Sequence, residues 1–180
     1  MYKKRHFIFK IIFSVLLFNS VNLIASDDDD LLNVRPSFIL RLAIDEQRRW
    51  QVEIPQRPYI IENNAVQIFP GDRLLIEAIV VGNEITKLLV VNELRDLNNT
   101  IILEFWQNTY EENSLIHQYM WFNVINPFDR IMEFYAEIQL IGESGFRQYP
   151  NKFKIMPKSS VNDMFGGIFI SMILHGFILQ

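Results

Sequence analysis

The sequence predicts an all-β fold, an antiparallel β-sandwich, and three observations carry that prediction. Apolar residues recur at every second position in successive runs, as at Phe38, Leu40, Leu42 and Ile44. That is the period of a strand with one buried face. Turn signals such as Pro70-Gly71-Asp72, Gly82-Asn83 and Asn126-Pro127 cut the runs at short intervals. The runs themselves are rich in β-branched and aromatic side chains, the shapes that suit a pleated, half-buried surface.

The elements follow in chain order. Lys3, Lys4 and Arg5 precede the apolar run Ile11–Phe18, and Leu23-Ile24-Ala25-Ser26 offers small residues to a peptidase. Residues 1–26 are therefore expected to be a secretory signal peptide. Lys10, Asn19 and Asn22 shorten the apolar stretch below the ~20 residues that a membrane-spanning helix needs. Residues 27–36, opening with Asp27–Asp30, read as an acidic, disordered leader, and residues 37–180 as one sandwich domain. Within it Ser37–Ile44 is a strand, Asp45–Arg49 a charged turn and Trp50–Ile54 a second alternating run. Pro55 and Pro58 suit an irregular crossing or a sheet edge better than a central strand.

From there strands are expected at Val66–Phe69, Arg73–Val81, Ile85–Val91, Thr100–Trp106, Leu115–Val124 and Ile131–Leu140, the last closed by a turn over Gly142–Gly145. The segment 164–179 is almost wholly apolar. As a helix it would be about 24 Å long, short of the ~30 Å hydrocarbon core, and its three glycines would weaken it. As a strand, Ile168–Leu174 is a buried central element, and Gly176 marks a bulge or bend. The strand is the better reading; the alternative is an envelope-membrane tether formed by 164–179.

Composition excludes several chemistries. Loss of residues 1–26 lowers the lysine and arginine count from 17 to 13 against 21 acids, so the formal charge moves from −4 to −8. That sign argues against nucleic acid as a partner, because such binding needs clustered cations. The chain has no cysteine, hence no disulfides, no thiol chemistry, no Cys-ligated metal and no lipoprotein anchor. About 154 residues can bury a real core without such staples. Absence of disulfides in an exported chain is compatible with a bacterial periplasm.

No constellation calls for catalysis, and neither a cofactor nor a metal is expected. His117 and His175 both sit inside apolar runs, away from any nucleophile pattern, and read as core or sheet-face histidines. Glu133 and Glu137 lie four apart on one strand, about 13 Å along it, too far for a glycosidase pair, and read as a solvated face. Glu111-Glu112 falls in a polar hairpin loop, and Asp27–Asp30 lacks the spacing of a calcium loop. Gly166-Gly167 has no phosphate-loop spacing, and Asn98-Asn99-Thr100 matches only a short glycosylation pattern. A hydrolase or metal enzyme is thus the weakest alternative. Aromatic residues offer more. Pairs such as Trp121-Phe122 and Phe134-Tyr135 put one ring on each sheet face, and an exposed aromatic face marks a partner surface. Trp106, Tyr110 and Trp121 are the expected contacts.

At Pro70-Gly71-Asp72-Arg73-Leu74, and again from Asn126-Pro127-Phe128 to Phe134-Tyr135-Ala136-Glu137-Ile138, the chain resembles exported immunoglobulin-like β-sandwich proteins of bacteria, a group without assigned chemistry. The likeness spans Val66 to Leu179 and concerns architecture, since the inter-sheet cysteines of antibody domains are missing. It implies a periplasmic setting and no active residues. The expectation is an exported, non-enzymatic module that binds a protein partner in the cell envelope, by sheet-edge pairing or through its aromatic face.

Overall fold

A computed structural model describes residues 33–110 and 115–180. The expected signal peptide, the Asp27–Asp30 run and the Glu111-Glu112 loop lie outside the described residues. Regular structure among the described residues is β-strand, apart from one 3-10 turn at Glu62–Asn64. The strands are β1 (Val34–Arg35), β2 (Phe38–Ala43), β3 (Arg49–Ile54), β4 (Arg57–Pro58), β5 (Ile60–Ile61), β6 (Ala65–Ile68), β7 (Asp72–Val81) and β8 (Glu84–Val91). They continue as β9 (Thr100–Thr109), β10 (His117–Ile125), β11 (Met132–Leu140), β12 (Arg147–Gln148), β13 (Phe153–Ile155), β14 (Ser160–Phe165) and β15 (Phe169–Leu179).

Among the described residues all pairings are antiparallel, and no sheet closes into a barrel. One half of the main sheet runs β14-β10-β9-β7-β8; the other centres on β15, with β11 on one edge and β6 on the other. The bridge between Ile178 and Glu84, with the Leu179 N–H donating to the Asn83 carbonyl, joins the halves. Their inward residues meet in one core: Ile76, Ile101, Leu103, Phe105, Met120 and Phe122 on one side face Met132, Phe134, Met172 and Leu174 on the other. Phe153 ties the two together, 5.6 Å from the Phe122 ring and stacked at 5.0 Å on Phe134. Alternation places these side chains, so the inward face of each half is mainly apolar, giving a sandwich-like arrangement.

The segment 164–179 is not helical. Its last eleven residues before Gln180 form β15, hydrogen-bonded on both edges, with Met172 and Leu174 turned into the core and Ser171, Ile173 and His175 on the opposite face. Gly176 adopts φ +67°, and the Tyr135 ring covers it, 3.4 Å from where a Cβ would stand. The register with β11 shifts between Glu133 and Tyr135, the bend expected at this glycine.

Residues 33–64 form two devices outside the regular rhythm. Among the described residues the β2–β3 hairpin pairs only with itself, in the register Phe38–Ile54, Leu40–Val52 and Leu42–Trp50. These three pairs make one apolar face, which covers Phe69, Ile141, Ile168 and Ile170 in a second, smaller core. Asp45 closes its turn by accepting from the backbone N–H groups of Gln47 and Arg48. Pairing also begins before Ser37. Val34–Arg35 joins Arg57–Pro58, and the buried Arg35 guanidinium pairs with both Asp72 oxygens while stacking 4.2 Å over Tyr59. The described end of the expected leader is therefore held by an ion pair that sequence periodicity does not register.

Candidate functional site

Strand parity sends Phe105 and Phe122 inward, so Trp106 and Trp121 point out from the opposite face of β9 and β10. They are direct cross-strand partners. Their rings stack at 3.8 Å with an interplanar angle of 25°, and both remain half-buried. On the next strand of the same row, Met164 of β14 stands opposite Trp121 and is 64% exposed. On the far side Trp106 borders a hollow of about 240 Å³ shared with Arg41, Pro70 and Gly71. The result is an apolar row crossing β14, β10 and β9.

The adjacent row is polar and internally bonded. Asn123 donates to Glu104 Oε2 at 2.8 Å, and Arg73 Nε donates to Glu104 Oε1 at 3.0 Å. Asn123 Oδ1 is buried without a hydrogen-bond partner among the described residues. A ligand that reached this face would meet an aromatic ridge beside fixed polar groups. Tyr110 does not join the ridge. It shares the parity of Trp106, lies about 13 Å along the strand direction, and is 66% exposed at the end of β9. Sheet-edge pairing at β14 is obstructed locally, because the Met164 N–H already donates to Asp163 Oδ1. Asp163 itself turns inward, where Tyr149 donates to it, a charged residue of the kind that blunts an edge.

The histidines fall in separate places. His117 Nδ1 receives the Gln107 amide at 2.9 Å, which puts its ring proton on Nε2, buried and without a hydrogen bond. Burial lowers its pKa, and the Gly166 backbone opposes that in smaller measure. His175 lies on the outer face of the other half, stacked on Tyr135 and 3.7 Å from Glu137. Glu133 corrects the expectation of a solvated carboxylate. It is 7% exposed, paired with Lys152 and bonded by Gln180, because β13 and the chain end fold over it. Its hydrogen bond to Lys152 raises the lysine pKa.

Sequence reasoning missed a groove of about 400 Å³ between the β2–β3 hairpin and the outer face of β6, β15 and β11. Its floor carries a directional polar chain. Arg57 Nη1 donates to Gln67 Oε1 at 3.3 Å, Gln67 Nε2 to Ser171 Oγ at 3.4 Å, and Ser171 Oγ to Gln139 Oε1 at 3.3 Å. The available signal was Gln67 and Ser171, polar residues that interrupt the apolar runs Val66–Phe69 and Ile168–Leu174. Among the described residues no three His, Asp or Glu side chains converge as metal ligands, and no helix is long and apolar enough to cross a membrane. Comparison with known proteins finds no matching family model, no matching curated protein and no matching solved structure.

Proposed function

We propose that this protein is an exported, non-enzymatic binding module of the bacterial envelope, periplasmic and immunoglobulin-like in topology, which engages a protein partner through its aromatic outer face. The observation that carries the reading is the Trp106–Trp121 stack flanked by exposed Met164. Tryptophan and methionine are enriched at the centres of protein interfaces. A stacked pair is already ordered, so little side-chain entropy is lost when a partner covers it. The aromatic face is preferred to sheet-edge pairing because the Met164 N–H is engaged by Asp163. Tyr110 stands apart from the stack and serves as a peripheral contact. No cofactor enters this reading.

Photocrosslinking in cells tests it. A benzophenone amino acid replaces Met164 in one strain and Tyr135, on the opposite half, in a second. One dominant protein adduct from position 164, absent from position 135 and lost in Trp106→Ala and Trp121→Ala, is the expected result. Each truncation should remove about 2 kcal/mol or more of binding if the stack is the hot spot. Equal labelling from both positions, or adducts indifferent to the tryptophans, would sink the proposal.

A further inference from the structure

We propose that the groove under the β2–β3 hairpin is a binding site for an aliphatic carboxylate, its head group at Arg57 and its chain along the hairpin. This goes beyond the aromatic face and concerns a different surface.

Arg35 and Arg57 are direct backbone partners across the β1–β4 ladder. Arg35 is neutralised by Asp72. Arg57, half-buried, has no acidic partner within ion-pair distance among the described residues, and its Nε is buried without a hydrogen bond. A half-buried guanidinium that packs over the Phe69 ring at 5.7 Å but has no counter-ion among the described residues favours an anionic ligand.

The polar chain on the floor points the same way. Each of its links uses an acceptor internally: Gln67 Oε1, Ser171 Oγ, then Gln139 Oε1. Donors are left over at both ends, Nη2 of Arg57 and Nε2 of Gln139, neither of which bonds to any described group. Ser171 is fully buried and Gln67 is 7% exposed, so this donor-terminated row is built into the sheet rather than scattered on its surface. An ionised carboxylate only accepts hydrogen bonds, and its plane matches a guanidinium. Glu53, exposed at the rim, disfavours a dianion such as phosphate.

The walls specify the rest of the ligand. Trp50, Val52, Ile54 and Phe146 line the groove above Phe69 and Ile170, an apolar trough beside the donor row. Its volume lies within the range of small-molecule sites, which combine mostly apolar walls with a few placed polar groups.

Calorimetric titration of the full chain with octanoate, and in parallel with octan-1-ol, tests the assignment. Saturable one-to-one octanoate binding is expected, with the alcohol and the Arg57→Gln variant each weaker by about 10- to 100-fold, the loss of one charge-assisted hydrogen bond. Val52→Trp, which fills the trough and leaves Arg57 in place, should abolish binding, so the test survives if Arg57→Gln does not fold. The Trp106→Ala, Trp121→Ala double variant should bind octanoate unchanged, which keeps this site separate from the aromatic face. Equal affinity for acid and alcohol, binding that persists in Val52→Trp, or no saturable binding overturns the proposal.

Discussion

Gln107 fastens the hairpin to the sandwich, and replacing it with methionine should release the hairpin alone. Its side chain mimics a strand neighbour for Ala43, accepting from the Ala43 N–H at 2.7 Å and donating to the Ala43 carbonyl at 2.8 Å. The same amide reaches His117 Nδ1 at 2.9 Å. Methionine keeps the length and volume but leaves three partly buried groups without partners. At roughly 1 kcal/mol for each such group, toward the low end because water has some access, the loss is about 2–4 kcal/mol. That is a large share of the ~5–15 kcal/mol that holds a domain together. Among the described residues the hairpin pairs only with itself and rests on its own small core, so the loss should be local. Hydrogen exchange reads this directly. Amides of β2 and β3 should exchange roughly 30- to 700-fold faster, while those of β9 and β11 stay protected. Hairpin exchange within threefold of the parent would refute the reasoning, as would equal acceleration everywhere. Octanoate binding should weaken in the same variant, because the hairpin forms one wall of the groove.

Three further outcomes follow from other contacts. Asp72→Asn leaves Arg35 buried without its counter-ion and should cost about 3–5 kcal/mol in chemical denaturation, Asp72 and Arg35 being 12% and 6% exposed. A loss below 1 kcal/mol would show that the pair is not structural. Gly176→Ala forces a Cβ onto φ +67° against the Tyr135 ring and should lose about 1–2 kcal/mol, read as a lower melting midpoint. His117 supplies a pH dependence. Its folded pKa lies below the ordinary 6.5 because of burial, so on acidification the unfolded chain takes up a proton that the folded chain refuses. The His117 contribution to stability is then constant above about pH 7.5 and falls as pH drops from 6.5 toward the folded value, and His117→Phe should flatten that slope. An unchanged slope between about pH 7.5 and 5.5 in His117→Phe would assign it to another group.

Much of the fold is written in local pattern. Alternation over Arg73–Val81, Thr100–Trp106 and Ile131–Leu140 is enough to find β7, β9 and β11, because a strand's period depends only on its own backbone. Gly82 and Gly176 adopt the positive φ that turn and bulge positions require, and both were legible as glycines in the right places. The same parity sends Trp121 and Phe122 to opposite faces. Other features have no local signature. β12, β13 and β14 lie in a stretch, 146–165, whose pattern is weak, and they exist because β11 and β10 offer open edges. Glu133 is buried because Lys152 and Gln180, distant in sequence, close over it. The Trp106–Trp121 stack required the register of β9 on β10, and the Arg57 groove required a hairpin, a crossing segment and three strands to converge. Sequence by itself determined which residues can form strands and which side of each strand is apolar, since both follow from steric and hydrophobic preferences of neighbouring residues. Only the tertiary structure decided which strands pair, what covers each polar group and where a donor is left without a partner, because those depend on contacts between residues far apart in the chain.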